Sequence, residues 1–238
     1  MVVKICMLSS ETKIWEISEL RNRTKVFRDR EHAGMVLAEM MSDYKDENAL
    51  VLGIPAGGIP VAAVLARELS LELDVAVVSK VTLPWNTEAG YGAVSWEGTV
   101  RLNQDLVSSI GLSKDEIHKG IEETREKVKR RVKLFRGDRN WPNLGEETVI
   151  LVDDGIASGF TILVAVMALK NMGVDELMVA VPTASPDSLN RLSADVKSIY
   201  CPNIRGGWTF AVANAYQEWR DVDEGEVLRI MENFFNLN

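Results

Sequence analysis

The sequence predicts an α/β protein with a doubly wound, mostly parallel central sheet. Four short runs are rich in valine, isoleucine and leucine and lack strict alternation, which is typical of parallel strands buried on both faces. Three of them are followed by a turn and a helical stretch, as expected where helices connect parallel strands. The four predicted strands are residues 49–54, 73–79, 148–152 and 177–181.

Two glycine-rich turns lead from these strands into predicted helices. Residues 55–60 read Pro-Ala-Gly-Gly-Ile-Pro and precede a helix over residues 61–69, with Pro60 at its first position, where proline is well tolerated. Residues 153–159 read Asp-Asp-Gly-Ile-Ala-Ser-Gly and precede a helix over residues 160–172, which Gly173 closes as its C-cap. Both units follow the strand, turn, helix order of a doubly wound sheet.

Residues 82–105 do not follow the strand, turn, helix pattern, and they predict a flexible arm. Two alternating runs, 93–96 and 99–103, are separated by Glu97-Gly98, which predicts a hairpin. A long charged helix over residues 113–136 follows, opened by a capping box of Ser113 and Glu116. The dense basic stretch of this helix is interleaved with glutamates, so we interpret it as a solvated face.

The two ends of the chain are predicted to cap the sheet as a small hood. Residues 1–48 carry the basic cluster 27–30 (Phe-Arg-Asp-Arg) ahead of an amphipathic helix. Residues 201–238 are rich in aromatic side chains that suit a hood or a subunit interface, so we expect a homodimer. The predicted segments are therefore an N-terminal hood (1–48), an α/β core (49–200) and a C-terminal hood or interface segment (201–238).

The composition disfavours several functions. The formal net charge is −8, so a nucleic-acid-binding face would need a local basic patch, and the sequence shows none. Cys6, Cys201, His32 and His118 do not have the spacing of zinc ligands. The apolar runs near the motifs are shorter than the roughly 20 residues of a membrane helix, and the N-terminus does not resemble a signal peptide. We expect a cytoplasmic protein that binds neither nucleic acid nor membrane.

The strongest chemical signal is the run from Val149 to Thr161. A buried strand leads into Asp153 and Asp154, which would be costly to bury unpaired, at the strand end where open α/β sheets bind ligands. The next residues offer main-chain amides and hydroxyl groups such as that of Ser158 for a phosphate. Each hydrogen bond to a charged group contributes about 1.5 to 3 kcal/mol, against about 0.3 to 1 kcal/mol from the helix dipole. A ribose 5-phosphate unit satisfies both halves, because it joins a phosphate to adjacent hydroxyl groups.

This stretch resembles the signature with which type I phosphoribosyltransferases bind phosphoribosyl pyrophosphate (PRPP). In that family two acidic residues contact the ribose 2- and 3-hydroxyls, which implies catalytic positions at Asp153 and Asp154. The implied 5-phosphate loop consists of Gly155, Ile156, Ala157, Ser158, Gly159, Phe160 and Thr161. Residues 53–62 resemble the family's pyrophosphate loop, and Lys80 matches a basic residue before the catalytic arm. The implied pyrophosphate ligands are Pro55, Ala56, Gly57, Gly58 and Lys80.

The resemblance covers residues 26–200 and implies a reaction. Ribose 5-phosphate passes from PRPP to a nitrogenous base, pyrophosphate is released, and the process belongs to nucleotide salvage or metabolism. The implied cofactor is Mg²⁺, held indirectly through PRPP together with Asp153 and Asp154. An oxocarbenium-like transition state requires exclusion of water, so the arm around residues 84–91 is expected to close over the site.

One position departs from the family pattern. The chain is most similar to a poorly characterised microbial branch whose pyrophosphate loop commonly reads Pro-Arg-Gly-Gly, but Ala56 stands in place of the arginine. Without that charge the departing pyrophosphate is less stabilised, unless Lys80, Arg28 or Arg30 compensates. Ser158 replaces a more usual threonine and keeps the hydroxyl group.

Two other functions fit part of the sequence. A regulator could bind PRPP or a nucleotide on the same fold without turnover, and Ala56 favours that alternative. A dinucleotide-binding oxidoreductase is disfavoured, because residues 53–58 do not match Gly-x-Gly-x-x-Gly. The acceptor is left open among purines, pyrimidines, nicotinate-like compounds and other amines, with Trp208 and Phe210 as candidate stacking residues.

Overall fold

The computed structural model describes residues 3–7, 12–141, 144–145, 147–207 and 210–237. Within these residues the strands form sheets of seven, three and two strands. The strands are β1 (Val3–Met7), β2 (Lys13–Ile17), β3 (Ala49–Gly53), β4 (Glu72–Val75), β5 (Val78–Leu83), β6 (Asn86–Ser95), β7 (Val100–Leu102), β8 (Thr148–Val152), β9 (Leu177–Ala180), β10 (Thr183–Ala184), β11 (Ser198–Tyr200) and β12 (Asn203–Ile204). The helices are α1 (Arg30–Met40), α2 (Gly58–Leu69), α3 (Gln104–Ile110), α4 (Lys114–Arg136), α5 (Phe160–Asn171), α6 (Pro186–Leu192) and α7 (Glu224–Leu237).

The main sheet is mostly parallel, which confirms the predicted fold class. Its strand order is β1-β2-β11-β9-β8-β3-β4, and among the described strands the antiparallel pair of this sheet is β1 with β2. The predicted strands at 49–54, 148–152 and 177–181 are its central members β3, β8 and β9. Nearly all of their side chains are buried, as expected for strands covered on both faces.

The predicted strand over residues 73–79 is wrong in one respect, because the run belongs to two sheets. Its first part is β4, which pairs with β3, and its last part begins β5, which pairs with β6 in the three-stranded sheet. Strands β2 and β11, which extend the main sheet, were not predicted. β11 has three residues, and in β2 the charged Lys13 and Glu16 interrupt the apolar pattern.

Helices cover the main sheet on both faces. One apolar cluster joins the sheet to α1, α2, α4 and α7, and a second joins it to α5 and α6. The predicted helix after β3 begins earlier than expected, at Gly58, so Pro60 is its third residue rather than its first. Proline is tolerated there, because the first N–H groups of a helix have no partner inside it.

The predicted hairpin arm is present as the three-stranded sheet β5-β6-β7. β6 is longer than expected, since it begins at Asn86 and pairs with β5 from there. Tyr91, placed at the edge of the predicted lid, is 1 % exposed, whereas Trp85 at the tip is 63 % exposed. The segment available for closure is therefore the exposed tip before Tyr91, and its mobility stays a prediction.

The long charged helix is confirmed with its capping box, but our interpretation of its basic stretch is wrong in part. Ser113 and Glu116 form both hydrogen bonds of the box. Arg131 and Arg136 are buried rather than solvated. The guanidinium of Arg136 donates to Asp74 with Nη2 2.7 Å from Oδ2 and Nε 3.0 Å from Oδ1. This ion pair connects α4 to β4 in the interior.

We expect Arg136→Met to lower the free energy of unfolding by about 3 kcal/mol, because it leaves the buried Asp74 carboxylate with only the longer, half-exposed ion pair to Arg139 at 3.4 Å. Urea unfolding followed by circular dichroism measures the change. Arg130→Met is the matched control, since Arg130 lies on the same helix and pairs with Glu224 at the surface. The control should lose less than about 1 kcal/mol. Equal losses in both variants would contradict an interior ion pair.

The chain ends meet beside the sheet. Phe27 forms an isolated bridge with Tyr216, and its amide donates to the Ala215 carbonyl at 3.0 Å. Phe27, Ala33, Ala215 and Tyr216 form a small apolar cluster of their own. Since β2 lies within the main sheet, residues 1–48 contribute to the sheet as well as to the predicted hood. Among the described residues, no helix is long and apolar enough to cross a membrane.

Candidate active site

Two loops meet beyond the carboxyl ends of the adjacent strands β3 and β8. A Cβ atom added to Gly57 would lie 2.0 Å from Oδ2 of Asp154, and one added to Gly58 would lie 2.9 Å from the Cα of Asp153. Glycine is therefore required sterically at both positions. The structure thus brings the predicted acidic pair and the predicted pyrophosphate loop into direct contact.

Burial and the neighbouring carboxylate disfavour the charged form of Asp153. Burial and the neighbouring charge of Asp154 raise the pKa of Asp153 well above its usual value, while Lys80 and Arg30 oppose the increase. Burial also raises the pKa of Asp154, against the ion pair with Arg30. The Asp153 carboxylate accepts the amide N–H of Asp154 at 2.9 Å. Such a pair is stabilised by hydroxyl donors or a cation, which is what a ribose diol with its metal would supply.

The raised pKa of Asp153 predicts how stability depends on pH. The unfolded chain loses this proton near pH 3.9, and the folded protein keeps it to higher pH, so the contribution to stability is lost as pH rises between the two pKa values. Asp153→Asn removes this loss and keeps an oxygen for the Asp154 amide. We expect its melting temperature to exceed that of the wild type by a few degrees at pH 8 and by less at pH 4.5. A difference that shrinks as pH rises would contradict the predicted pKa.

Two residues from the chain ends hold Asp154. The sequence analysis considered Arg30 only as a replacement for the missing loop charge, and it did not place Tyr216 in the site. Arg30 donates to Oδ2 of Asp154 from Nε at 2.9 Å, and its Nη2 lies 2.8 Å from the same oxygen as an ion pair. The hydroxyl group of Tyr216 donates to the Asp154 carbonyl at 2.6 Å. The available signals were the basic cluster 27–30 and the aromatic C-terminal segment, but neither pattern indicates a partner.

The loop after the acidic pair, predicted to hold the 5-phosphate, has available amide donors, and one predicted ligand is corrected. Ile156 is not a phosphate ligand, because its side chain is buried and its amide donates to the Thr183 carbonyl at 2.8 Å. Gly155 has little space, since a Cβ atom there would lie 2.5 Å from Val212. Within the described chain, the amides of residues 157–159 donate to no other group, and Thr161 lies in the first turn of α5. These residues are the donors that an anion could use.

The pyrophosphate loop needs a similar correction. The Gly58 amide donates to the Ile54 carbonyl at 3.0 Å, so it is not available to a ligand. The amides of Ala56 and Gly57 donate to no other group of the described chain. The peptide bond between the buried Pro55 and Ala56 is cis. An anion at this loop would thus bind the amides of Ala56 and Gly57.

Lys80 approaches the acidic pair from the arm, whereas Phe210 contacts Arg205. Lys80 is exposed on β5, close enough to lower the pKa of Asp153, and Gly90 of the arm packs against its side chain. Phe210 stacks under the guanidinium of the buried Arg205, whose carbon lies 4.7 Å from the ring centroid. Trp208, the other candidate stacking residue, lies outside the described residues.

A mostly parallel sheet with helices on both faces, and with an acidic pair and two glycine-rich loops beyond its carboxyl ends, has the architecture of a type I phosphoribosyltransferase. Residues 29–215 match the family described as "Phosphoribosyl transferase domain", and the chain belongs to that family.

The chain is similar to "Putative phosphoribosyl transferase Rv0571c" of Mycobacterium tuberculosis (strain H37Rv), with 31% identity over 208 residues that cover 87% of this chain and 47% of that protein. The counterpart in strain CDC 1551, "Putative phosphoribosyl transferase MT0597", matches equally. The chain thus spans about half the length of the curated relatives it matches. The crystal structure of TT1426 from Thermus thermophilus is 32% identical, covers 87% of this chain and 98% of its own, and superposes with a TM-score of 0.70.

Proposed function

We propose that the protein transfers ribose 5-phosphate from PRPP to a nitrogenous base in a Mg²⁺-dependent reaction that releases pyrophosphate. The observation that carries the proposal is the contact between Gly57 and Asp154, which places a candidate pyrophosphate loop against a candidate ribose-binding carboxylate. PRPP joins a ribose diol to a pyrophosphate on the neighbouring carbon, so one molecule would contact both groups.

Each part of the site has one role in this proposal. Asp153 and Asp154 accept hydrogen bonds from the ribose hydroxyls, and residues 157–161 hold the 5-phosphate, with Ile156 anchoring the loop just before them. The amides of Ala56 and Gly57, with Lys80, hold the pyrophosphate. The bond from C1 to the pyrophosphate oxygen breaks with its electron pair leaving on that oxygen, the nitrogen lone pair forms the new bond to C1, and the nitrogen releases a proton.

The acidic pair fits Mg²⁺ as part of a shared site. Mg²⁺ prefers oxygen ligands. A cation would offset the repulsion from Asp154 and the cost of burying a charge, which together raise the pKa of Asp153. Among the described residues, no group of three or more acidic, histidine or cysteine side chains could hold a metal ion alone. The remaining ligands would come from PRPP and water, and the ion would neutralise pyrophosphate charge.

Pyrophosphate release from PRPP and Mg²⁺, measured with a panel of purines, pyrimidines, nicotinate-like compounds and amines, tests the function. We expect release that depends on one class of acceptor and a nucleotide product of matching mass. No release with any acceptor, together with no calorimetric binding of PRPP, would overturn the proposal.

A regulator that binds without turnover is the second candidate. The observation in its favour is the absence of charged side chains in residues 54–60, which leaves the leaving group bound by amides and by cations from elsewhere. PRPP binding without pyrophosphate release in the same panel would identify this alternative.

The arm prediction concerns the exposed tip of β5-β6. We expect limited proteolysis to cut near Trp85 in the ligand-free protein and to slow by about tenfold or more with saturating PRPP and Mg²⁺, because a closed lid would be withdrawn from the protease. Mass spectrometry of the fragments locates the cut, and ribose 5-phosphate alone is the control ligand. Cleavage at an unchanged rate with PRPP would rule out closure over the site.

Assembly, pathway and location are further parts of the proposal. Exposed Leu134 and Phe235 are apolar surface that supports a homodimer. We propose that the protein works in nucleotide salvage in the cytoplasm without a membrane partner, and the net charge of −8 supports the absence of a nucleic-acid partner.

A further inference from the structure

The guanidinium of Arg30 is a buried cation beside the proposed site. It begins α1, and its residue is 9 % exposed. Two of its nitrogens bind Oδ2 of Asp154, and the third, Nη1, donates to the Arg220 carbonyl at 2.8 Å. Its carbon lies 3.9 Å from the ring centroid of Trp219. These contacts place Arg30 on the candidate site rather than at the surface.

The same guanidinium lies next to the pyrophosphate loop. The Asp154 oxygen that pairs with Arg30 is the atom that a Cβ on Gly57 would meet at 2.0 Å. One oxygen therefore contacts both Arg30 and Gly57. A phosphate group bound to the Gly57 amide would lie within reach of the arginine.

Arg30 provides a positive charge beside the pyrophosphate loop, which has no charged side chain of its own. Residues 54–60 contain no charged side chain, and Lys80 approaches from the arm side of the site. A departing pyrophosphate gains the electron pair of the broken bond, so a second cation beside it stabilises the developing charge. Arginine suits the task, because its fork of N–H groups matches phosphate oxygens.

We infer that Arg30 is a pyrophosphate-binding residue that exchanges partners on substrate binding. Resting on the proposed function, the inference assigns Arg30 to Asp154 in the free protein and to the pyrophosphate of bound PRPP. The exchange frees Oδ2 of Asp154 to accept a ribose hydroxyl. One cation thus serves the acidic pair before binding and the leaving group afterwards.

The surroundings of Arg30 allow such an exchange. A cavity of about 770 Å³ between α1, α2 and the C-terminal segment is lined by Arg30, Trp219 and Arg220. The guanidinium therefore has open space on one side and can turn without disrupting a packed core. Its stack on Trp219 can persist during the turn, because a ring face offers no fixed hydrogen-bond direction.

Calorimetric titration of the full chain with pyrophosphate plus Mg²⁺, and separately with ribose 5-phosphate, tests the inference without an acceptor base. We expect Arg30→Met to weaken pyrophosphate binding by roughly 10- to 100-fold, as for a lost charge-assisted hydrogen bond, without a comparable loss of ribose 5-phosphate affinity. Arg30→Lys, which keeps the charge, should retain most of the pyrophosphate affinity. Circular dichroism and thermal melting establish that each variant is folded at the titration temperature.

Two further variants sharpen the result. Ala56→Arg in the Arg30→Met background returns a cation to the loop and should restore pyrophosphate affinity. Arg67→Met is the matched control, because Arg67 also lines the cavity but lies nine residues beyond Gly58 on α2, about 13 Å away. It should bind both ligands as the wild type does.

The outcomes separate the two proposals. If Arg30→Met weakens ribose 5-phosphate binding as much as pyrophosphate binding, Arg30 only positions Asp154 and the inference is wrong. If the variant keeps wild-type pyrophosphate affinity, the inference is also wrong, although the proposed function stands. If the wild type binds neither ligand nor PRPP, the proposed function itself fails.

Discussion

Asp154→Asn should lower turnover of PRPP with Mg²⁺ by on the order of 100-fold while shifting the melting temperature by only a few degrees. The amide keeps an oxygen for Arg30 but loses the negative charge that orients the ribose diol and faces an oxocarbenium-like transition state. Stability changes less, because burial already opposes the charge of this carboxylate and raises its pKa. Pyrophosphate release with the acceptor found in the panel, compared with thermal melting, measures both effects.

Asp175→Asn is the control for this prediction. Asp175 is exposed and precedes β9, at the end of the strand opposite the site, so the same chemical change should leave turnover unaltered. Equal turnover in Asp154→Asn and wild type would remove the carboxylate from the mechanism. A melting temperature that falls steeply in parallel with turnover would indicate a structural role instead.

Gly57→Ala should reduce kcat/KM by about 100-fold, the scale expected when reacting groups are displaced by about 1 Å. The added methyl group would lie 2.0 Å from Oδ2 of Asp154, and Arg30 pairs with the same oxygen. Either the loop or the carboxylate must shift, and both belong to the proposed site. Steady-state kinetics with PRPP as the varied substrate measures the loss.

Gly206→Ala is the matched substitution for Gly57→Ala. The nearest atom to a Cβ on Gly206 is Oδ1 of Asn22, at 3.9 Å, so the methyl group fits without displacement. This variant should keep kcat/KM at the wild-type level. Wild-type kinetics in Gly57→Ala would show that the loop tolerates a side chain and that the close contact is not needed for the reaction.

The central strands could be predicted because their signal is local. Residues 49–54 and 148–152 are apolar without alternation, and burial on both faces explains that pattern. The run over residues 73–79 has the same character, yet it divides between two sheets. The pairing of a strand depends on contacts with residues far along the chain. The apolar character of the strand does not indicate which residues these are.

In the candidate site, too, some features could be predicted from the sequence and others could not. The acidic pair, the glycines and the hydroxyl residues follow from the order strand, turn, helix. The availability of each amide does not, because Ile156 donates to Thr183 and Gly58 to Ile54. Hydrogen-bond partners of this kind depend on the exact path of the backbone, which composition alone leaves open.

Local pattern was thus sufficient for the fold class, the two glycine-rich turns and the capped helix α4, because each rests on residues adjacent in the chain. The pairing of Arg30 with Asp154, across 124 positions, required the folded molecule. So did the burial of Arg136 against Asp74, which makes an interior contact of a helix face expected to be solvated. A charged side chain acquires its partner only when distant segments are packed together, and charge by itself specifies no partner.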